Sequence, residues 1–132
     1  MRQSVPAPTS DQKLTFSFEY YDTSRNDYCL SDWPKEKIKE TLSRLKDINT
    51  KSFNELRKQG RVYHFDEVLW DRTIHPSGFP DNRAKNLQAF HFSLIGVNGQ
   101  LARVYGAFSS GVFYIIWFDF KHKIWPTPLR NT

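Results

Sequence analysis

A short segment near the end of the chain combines side chains suited to acid–base and phosphate chemistry. Asp119 is followed by Phe120, Lys121, His122 and Lys123. Positive charge on both sides disfavours protonation of an imidazole, so His122 would be neutral and able to accept a proton. His122 is therefore a candidate catalytic acid or base, and Lys121 and Lys123 are candidates to bind RNA. The competing interpretation is a surface histidine in an ordinary turn.

The backbone at Asp119 has two alternatives that the sequence leaves open. If the preceding strand continues, Asp119, Lys121 and Lys123 share one face and His122 lies on the other. If Asp119 is instead the first residue of a four-residue turn, a position that favours aspartate, the side chain of His122 would point in a different direction. The outcome decides whether this segment meets the neighbouring strand.

Two further candidates lie on the preceding predicted strand. Alternation places Arg103 and Tyr105 on one face of it. An arginine there could hold a phosphate, and a tyrosine could stack on a base or supply a proton. The competing interpretation is a cross-strand packing pair on a solvated face.

The other histidines and the cysteine are weaker candidates. His91 is expected to be a satisfied sheet residue, His64 lacks further ligands at metal-site spacing, and His75 is expected in an exposed loop. The single Cys29 excludes an internal disulfide and is an improbable nucleophile. There is no Gly-rich phosphate loop, GxSxG, HExxH or Cys/His quartet, so we expect no metal and no cofactor.

The net charge of +5 is unevenly distributed along the chain. Residues 83–132 carry six Lys or Arg and only one carboxylate, whereas residues 1–82 are balanced. The six are Arg83, Lys85, Arg103, Lys121, Lys123 and Arg130. A positive face suits an anionic partner such as RNA, DNA or an acidic protein, although a merely soluble basic surface has the same composition.

Hydrophobic periodicity predicts one strand before the helices and a sheet after them. Leu14 to Tyr20 alternates, with Leu14, Phe16, Phe18 and Tyr20 on one face. Later come strands at Leu87–Ile95 and Gln100–Phe108, joined by an Asn98–Gly99 hairpin turn. The apolar run Val112–Phe118 follows a Ser-Ser-Gly turn and has two apolar faces, which predicts a strand in the middle of the sheet.

Two helices are predicted between the first strand and the sheet. The spacing of Ile38, Leu42, Leu45 and Ile48 predicts an amphipathic helix from Pro34 to about Asn49. A capping box at Ser52–Glu55 begins a second helix, which Gly60 would end. Residues 61–71 fit either a strand or a helical turn, and residues 73–86 are predicted to be a loop.

This order predicts one α+β domain over residues 13–132, preceded by a disordered arm at residues 1–12. The domain would have one N-terminal strand, two helices and an antiparallel β-meander. The helices would pack on one sheet face, leaving the other partly open beside the basic excess. No run approaches the roughly 20 apolar residues of a membrane helix and no signal peptide begins the chain, so we expect a cytoplasmic protein.

The order of strand, helix pair and meander resembles the RelE/ParE toxin superfamily of bacterial toxin–antitoxin systems. The resemblance spans about residues 13–126. It is carried mainly by Arg103-Val104-Tyr105-Gly106, Val112-Phe113-Tyr114-Ile115 and the cluster from Asp119 to His122. It implies a metal-independent endoribonuclease that cuts mRNA, free or on the ribosome, and an antitoxin that covers the basic face.

The resemblance also implies roles for the candidates. By position, His122 would be the acid or base, Arg103 the phosphate clamp, and Tyr105 a stacking or proton-donating residue. Lys121 and Lys123 would stabilise charge on bound RNA, and Arg83, Lys85 and Arg130 would extend the RNA-binding surface. The alternative is a non-catalytic phage or mobile-element protein that binds nucleic acid, or a nucleic-acid enzyme, through its basic sheet face.

Overall fold

The computed structural model of the chain describes residues 12–94, 102–121 and 123–125. Several predicted features therefore lie outside the described residues. They are the arm at 1–12 apart from Gln12, the Asn98–Gly99 turn, and the site candidates His122 and Arg130. The described residues form an α+β structure, which confirms the predicted class.

Within the described residues, five strands form one mixed sheet in the order β1-β5-β4-β3-β2. In chain order they are β1 Thr15–Ser17, β2 Asp66–Glu67, β3 Gln88–Ser93, β4 Arg103–Ser109 and β5 Val112–Asp119. The short β1 lies parallel to β5, and the other neighbours are antiparallel. The sheet therefore consists of three long antiparallel strands with a short strand at each edge.

Two of the helices lie where the sequence predicts them. The long helix α1 spans Lys35–Ile48, and α2 spans Phe53–Lys58. The predicted capping box begins α2, because the Glu55 N–H donates to Ser52 Oγ at 3.1 Å and the Ser52 N–H donates to Glu55 Oε1 at 2.8 Å. These two bonds satisfy backbone donors that a helix start leaves without partners.

The segment 61–71, for which the sequence left a strand or a helical turn open, contains both. The helix α2 ends just before Gly60, as expected, but Gly60 has no positive φ and begins a further short helix, α3 Gly60–Tyr63, which ends at His64 with a φ of 52°. A fourth helix, α4 Asn82–Lys85, interrupts the predicted loop, and the carboxylate of Asp81 accepts the Arg83 N–H at its start. A 3-10 turn also forms at Trp70–Arg72. Such short helices carry too few residues to produce a hydrophobic period.

The buried face of α1 is rotated from the predicted one. Leu42 is 58% exposed, whereas Thr41 is fully buried. The Thr41 hydroxyl donates to the carbonyl of Lys37 at 2.8 Å, so its burial leaves no unsatisfied donor. A polar residue whose hydroxyl is satisfied within the helix can therefore occupy the core-facing position, and the placement of Leu42 was wrong.

The first strand is shorter than predicted. β1 ends at Ser17, whose hydroxyl accepts the Glu19 N–H at 3.1 Å and so bends the chain. Phe18 is therefore left exposed, and Tyr20 stacks on Tyr114 with 4.7 Å between ring centroids. The prediction that Phe18 and Tyr20 continue the buried face of Leu14 was wrong for this reason.

The run Val112–Phe118 forms most of β5, which lies between β1 and β4 as its two apolar faces predict. Tyr105 pairs with Trp117 while Gly106 pairs with Ile115, so Ile116 is an extra residue in β5. A bulge of this kind lets Ile116 and Trp117 pack on the same side of the sheet.

Apolar residues cover both faces of the sheet. On the helical face the core includes Ile48, Leu56, Tyr63, Phe92, Val104, Phe113 and Phe118. The opposite face carries a second core that includes Tyr28, Val68, Phe79, Ala84, Tyr105, Trp117 and Ile124. The expected open face is therefore wrong, because aromatic residues of the connecting segments and Ala84 of α4 fold over it.

Candidate anion-binding site at the end of β4 and β5

The Asp119 carboxylate organises the segment that follows β5. It is 1% exposed, and it accepts the Lys123 N–H at 2.9 Å and the Ile124 N–H at 2.7 Å. The chain therefore turns at Asp119 rather than continuing as a strand, which settles the alternative that the sequence left open. The turn leaves Lys121 and Lys123 exposed.

A cleft of about 470 Å³ opens beside this turn. We call it the turn cleft; among its lining residues are Asn26, Asp32, Trp33, Phe120, Lys121 and Lys123. Two lysines from the turn and polar residues from the segment before α1 therefore share one concave surface. The lining also includes Asp27 and Cys29, so the cleft carries charges of both signs.

Arg103 lies at the same end of the sheet as the turn. Its Cα pairs directly with that of Asp119 across the β4–β5 ladder. The guanidinium is partly buried, with Nη1 donating to the carbonyl of Ala102 at 3.2 Å, and its buried Nε has no hydrogen-bond partner. Burial lowers the pKa of Arg103, against the opposing effects of Tyr105 and Asp119. A desolvated guanidinium with an unused donor is chemically suited to accept an anion.

Tyr105 does not reach the surface. It is fully buried, and its ring stacks on His91 with centroids 5.2 Å apart and planes inclined by 14°. Burial, followed by the negative charge of Asp119, raises the pKa of Tyr105. Its hydroxyl is buried without a hydrogen-bond partner. In this conformation Tyr105 can support Arg103 and His91, but it cannot stack on a bound base.

Two other basic candidates lie on α4. Arg83 forms ion pairs with Asp81 at 3.0 Å and Glu19 at 3.7 Å, and it lies 4.6 Å over the ring of Tyr20. Its charge is therefore largely compensated. Lys85 is exposed, and neither residue lines the turn cleft. The structure thus brings Lys121 and Lys123 to one cleft, with Arg103 opposite Asp119 in the sheet but outside the cleft lining, and it places the α4 pair elsewhere. His122 and Arg130 lie outside the described residues.

The second sheet face, which carries Tyr105, also holds a polar network that no sequence pattern predicted. The hydroxyl of Tyr28 and Nε2 of His75 are hydrogen-bonded at 2.7 Å, and Trp117 Nε1–H donates to Asp22 at 2.7 Å. Burial, followed by the positive charge of Arg25, lowers the pKa of His75. His75 is half-buried rather than exposed as predicted. Residues so far apart in the chain carry no local signal of their contact.

Metal-ligand clusters and membrane-spanning helices are absent from the part of the chain that the structure describes. Within it, no group of three or more His, Cys, Asp or Glu side chains is placed to hold a metal ion. None of the helices in these ranges has the length and apolar character required to span a membrane. In comparisons with protein-family models, curated proteins and solved structures, no match to the chain was found.

Proposed function

We propose that this protein is a RelE/ParE-like toxin, a metal-independent endoribonuclease that binds mRNA at the end of β4 and β5 and is neutralised by an antitoxin. The observation that carries the proposal is the Cα pairing of Arg103 with Asp119, the residue that opens the lysine-bearing turn. Arg103 and the turn that bears Lys121 and Lys123 belong to the same end of the sheet, which supports a phosphodiester backbone contacting all three.

The state of Arg103 favours a phosphate ligand. A buried donor without a partner costs about 1–3 kcal/mol, so a change of the Arg103 rotamer that brought its buried Nε to a phosphate oxygen would recover this free energy. Phosphate oxygens match the planar fork of a guanidinium, and a charge-assisted bond is stronger in a partly desolvated position. Arg103 would therefore hold the scissile phosphate while Lys121 and Lys123 stabilise the developing negative charge.

The proposed acid or base is His122, which follows Lys121 in the sequence. Because Tyr105 is buried, it would help to position Arg103 and would not contact RNA itself. An acidic antitoxin segment would cover the same basic residues, and the protein would act in the cytoplasm.

A second candidate function is favoured by one observation. The burial of Tyr105 removes a predicted proton donor from the surface, which suits a protein that binds nucleic acid, or a nucleic-acid enzyme, without turning it over. A phage or mobile-element inhibitor of this kind would bind through Lys121 and Lys123 with strong dependence on salt.

RNA cleavage with end-mapping, with and without EDTA, separates the two functions. We expect multiple turnover by the wild type in EDTA. Arg103→Gln should lower the rate on the order of 100- to 1,000-fold, because it removes a preorganised charge-stabilising donor. The exposed variant Lys121→Gln should also lower it, while Lys39→Gln on the exposed side of α1 should not.

Two controls distinguish a loss of catalysis from a loss of folding. Urea unfolding of Arg103→Gln shows whether the partly buried position is still folded, and Lys121→Gln gives an independent result if it is not. Salt-sensitive RNA binding without any cleavage at substoichiometric protein would reject the nuclease and support the second function. Growth arrest on expression, relieved by His122→Ala, tests the toxin assignment in cells.

A further inference from the structure

We propose that the turn cleft binds an unpaired guanine nucleotide of single-stranded RNA. The inference rests on the proposed function and deepens it, since it names the base that the substrate presents beside the basic turn. It is carried by three properties of the cleft lining: an aromatic residue that can stack, two lysines, and polar groups that can accept hydrogen bonds.

The floor of the cleft is suited to stacking. Its volume of about 470 Å³ lies within the range of small-ligand sites. The half-exposed ring of Phe120 packs on buried Trp33 with 4.7 Å between centroids, and Trp33 is itself packed against Phe118. Phe120 is therefore held on one side and accessible on the other, as a base-stacking side chain must be.

The lysines are available to a phosphate. Lys121 and Lys123 are exposed at the cleft, and neither ammonium forms an ion pair with another described residue. The backbone N–H of Lys123 donates to the Asp119 carboxylate at 2.9 Å, which holds the backbone of Lys123 beside the end of β5. A nucleotide stacked on Phe120 would thus place its phosphate near two lysines whose ammonium groups form no ion pair within the described residues.

The lining of the cleft also offers a carboxylate. The carboxylate of Asp27 is already paired, because Arg25 donates hydrogen bonds to both of its oxygens at 2.9 and 2.7 Å. Asp32 is exposed, and its carboxylate has no hydrogen bond or ion pair within the described ranges 12–94, 102–121 and 123–125. Asn26 adds an amide that can donate or accept.

A free carboxylate discriminates between bases because it only accepts hydrogen bonds. The Watson–Crick edge of guanine presents two adjacent N–H donors, which match the two oxygens of Asp32. Adenine and cytosine place a ring acceptor beside their amino donor, and uracil flanks its single N–H with two carbonyls. These acceptors would face the carboxylate lone pairs, so guanine is the base that the cleft should prefer.

Titration of the full-length protein with GMP, AMP, CMP and UMP, followed by NMR at the Trp33 indole, tests this assignment. The wild type should bind GMP about 5- to 100-fold more tightly than UMP, the range for one good bidentate base contact. Asp32→Asn should remove the preference but retain binding. The double variant Lys121→Gln/Lys123→Gln should weaken all four nucleotides together, and Asp71→Asn, the same change at another exposed aspartate, should do neither.

Equal affinity for the four nucleotides, no binding at all, or a guanine preference that survives Asp32→Asn would overturn the inference. RNA cleavage is measured separately, so either function can fail alone. An active nuclease without nucleotide selectivity would retain the proposed function and reject the cleft assignment. Selective GMP binding by a protein that cleaves no RNA would support the cleft and reject the nuclease.

Discussion

At the scale of single residues, Asp119 connects the core of the sheet with the candidate site. Its carboxylate is buried between the strand that it ends and the turn that it begins, and its bonds to Lys123 and Ile124 shape that turn. The positions of Lys121 and Lys123 therefore depend on the Asp119 side chain. Asp119 is thus a structural determinant of the site rather than a reacting group.

Replacing Asp119 with alanine should therefore affect both stability and RNA binding. Hydrogen bonds to a charged acceptor contribute about 1.5–3 kcal/mol each, and the change would also leave two backbone donors without partners. We expect a loss of about 3 kcal/mol in the free energy of urea unfolding, together with weaker RNA binding. Asp71→Ala, at an exposed position, is the matched control, and equal unfolding midpoints for the two variants would contradict this role.

At the scale of elements, the β4–β5 hairpin determines where Arg103 on β4 lies relative to the turn that follows β5. Ser110 and Gly111 both have positive φ, at 51° and 84°, which closes the tight turn at one end of the hairpin. Near the middle, the bulge at Ile116 shifts the register, and Arg103 consequently lies opposite Asp119. The close approach of the two strands depends on Gly106.

The substitution Gly106→Ala should severely destabilise the protein. A Cβ at this position would lie 2.2 Å from the carbonyl oxygen of Tyr114 and 2.4 Å from the ring of Phe113. Because a backbone atom cannot move aside as a flexible side chain can, we expect a loss of about 3 kcal/mol or more in urea unfolding.

Gly60→Ala provides the matched control for Gly106. A Cβ at Gly60 meets no atom within 4 Å, and the residue begins a helix without a positive φ. We expect alanine there to be neutral or to stabilise by up to about 1 kcal/mol, since it restricts the unfolded chain. Similar losses for the two substitutions would show that the contact at Gly106 is not tight.

At the scale of the whole molecule, the connecting segments form a layer over the second sheet face. The Ile74 N–H donates to the Ile124 carbonyl at 2.8 Å, and the Phe118 N–H donates to the Tyr28 carbonyl at 3.0 Å. With the Tyr28–His75 hydrogen bond, these contacts tie three segments that are distant in sequence. Packing on both faces explains how a sheet with short edge strands can be stable.

This layer should make stability depend on pH. Because the pKa of His75 is lowered in the folded protein, the unfolded chain binds a proton more readily. Stability should therefore be highest above pH 6.5, the ordinary histidine value, and should fall as the pH drops from 6.5 towards the folded pKa. Urea unfolding at a series of pH values between about 7 and 5 measures this slope.

The variant His75→Asn should flatten that slope although it also loses the bond to Tyr28. His64→Asn is the control, since His64 is exposed and asparagine tolerates its positive φ. Measuring above pH 5 avoids the carboxylates such as Asp47, whose pKa is lowered by the hydrogen bond from Tyr63 and whose contribution is lost in more acidic solution. An unchanged slope in His75→Asn would exclude His75 as its source.

Much of the fold could be predicted because its signals are local. The two apolar faces of Val112–Phe118 predicted a strand in the interior of the sheet, and the Ser52–Glu55 capping box predicted the start of α2. The structure confirms both, since β5 has a neighbour on each side, although β4 is the central strand. The site was predictable only in part. Lys121 and Lys123 were found from their charge, whereas His75 and the lining residues Asn26 and Asp32 had no pattern that linked them to a site.

The sequence by itself determined the α+β class, the interior position of β5 in the sheet and the basic character of residues 83–132, because periodicity and charge are properties of neighbouring residues. Only the tertiary structure decided that the chain turns at Asp119, that Tyr105 is buried and that the second sheet face is covered. These outcomes depend on hydrogen bonds and aromatic contacts between distant segments, whose free energy exists only once those segments meet.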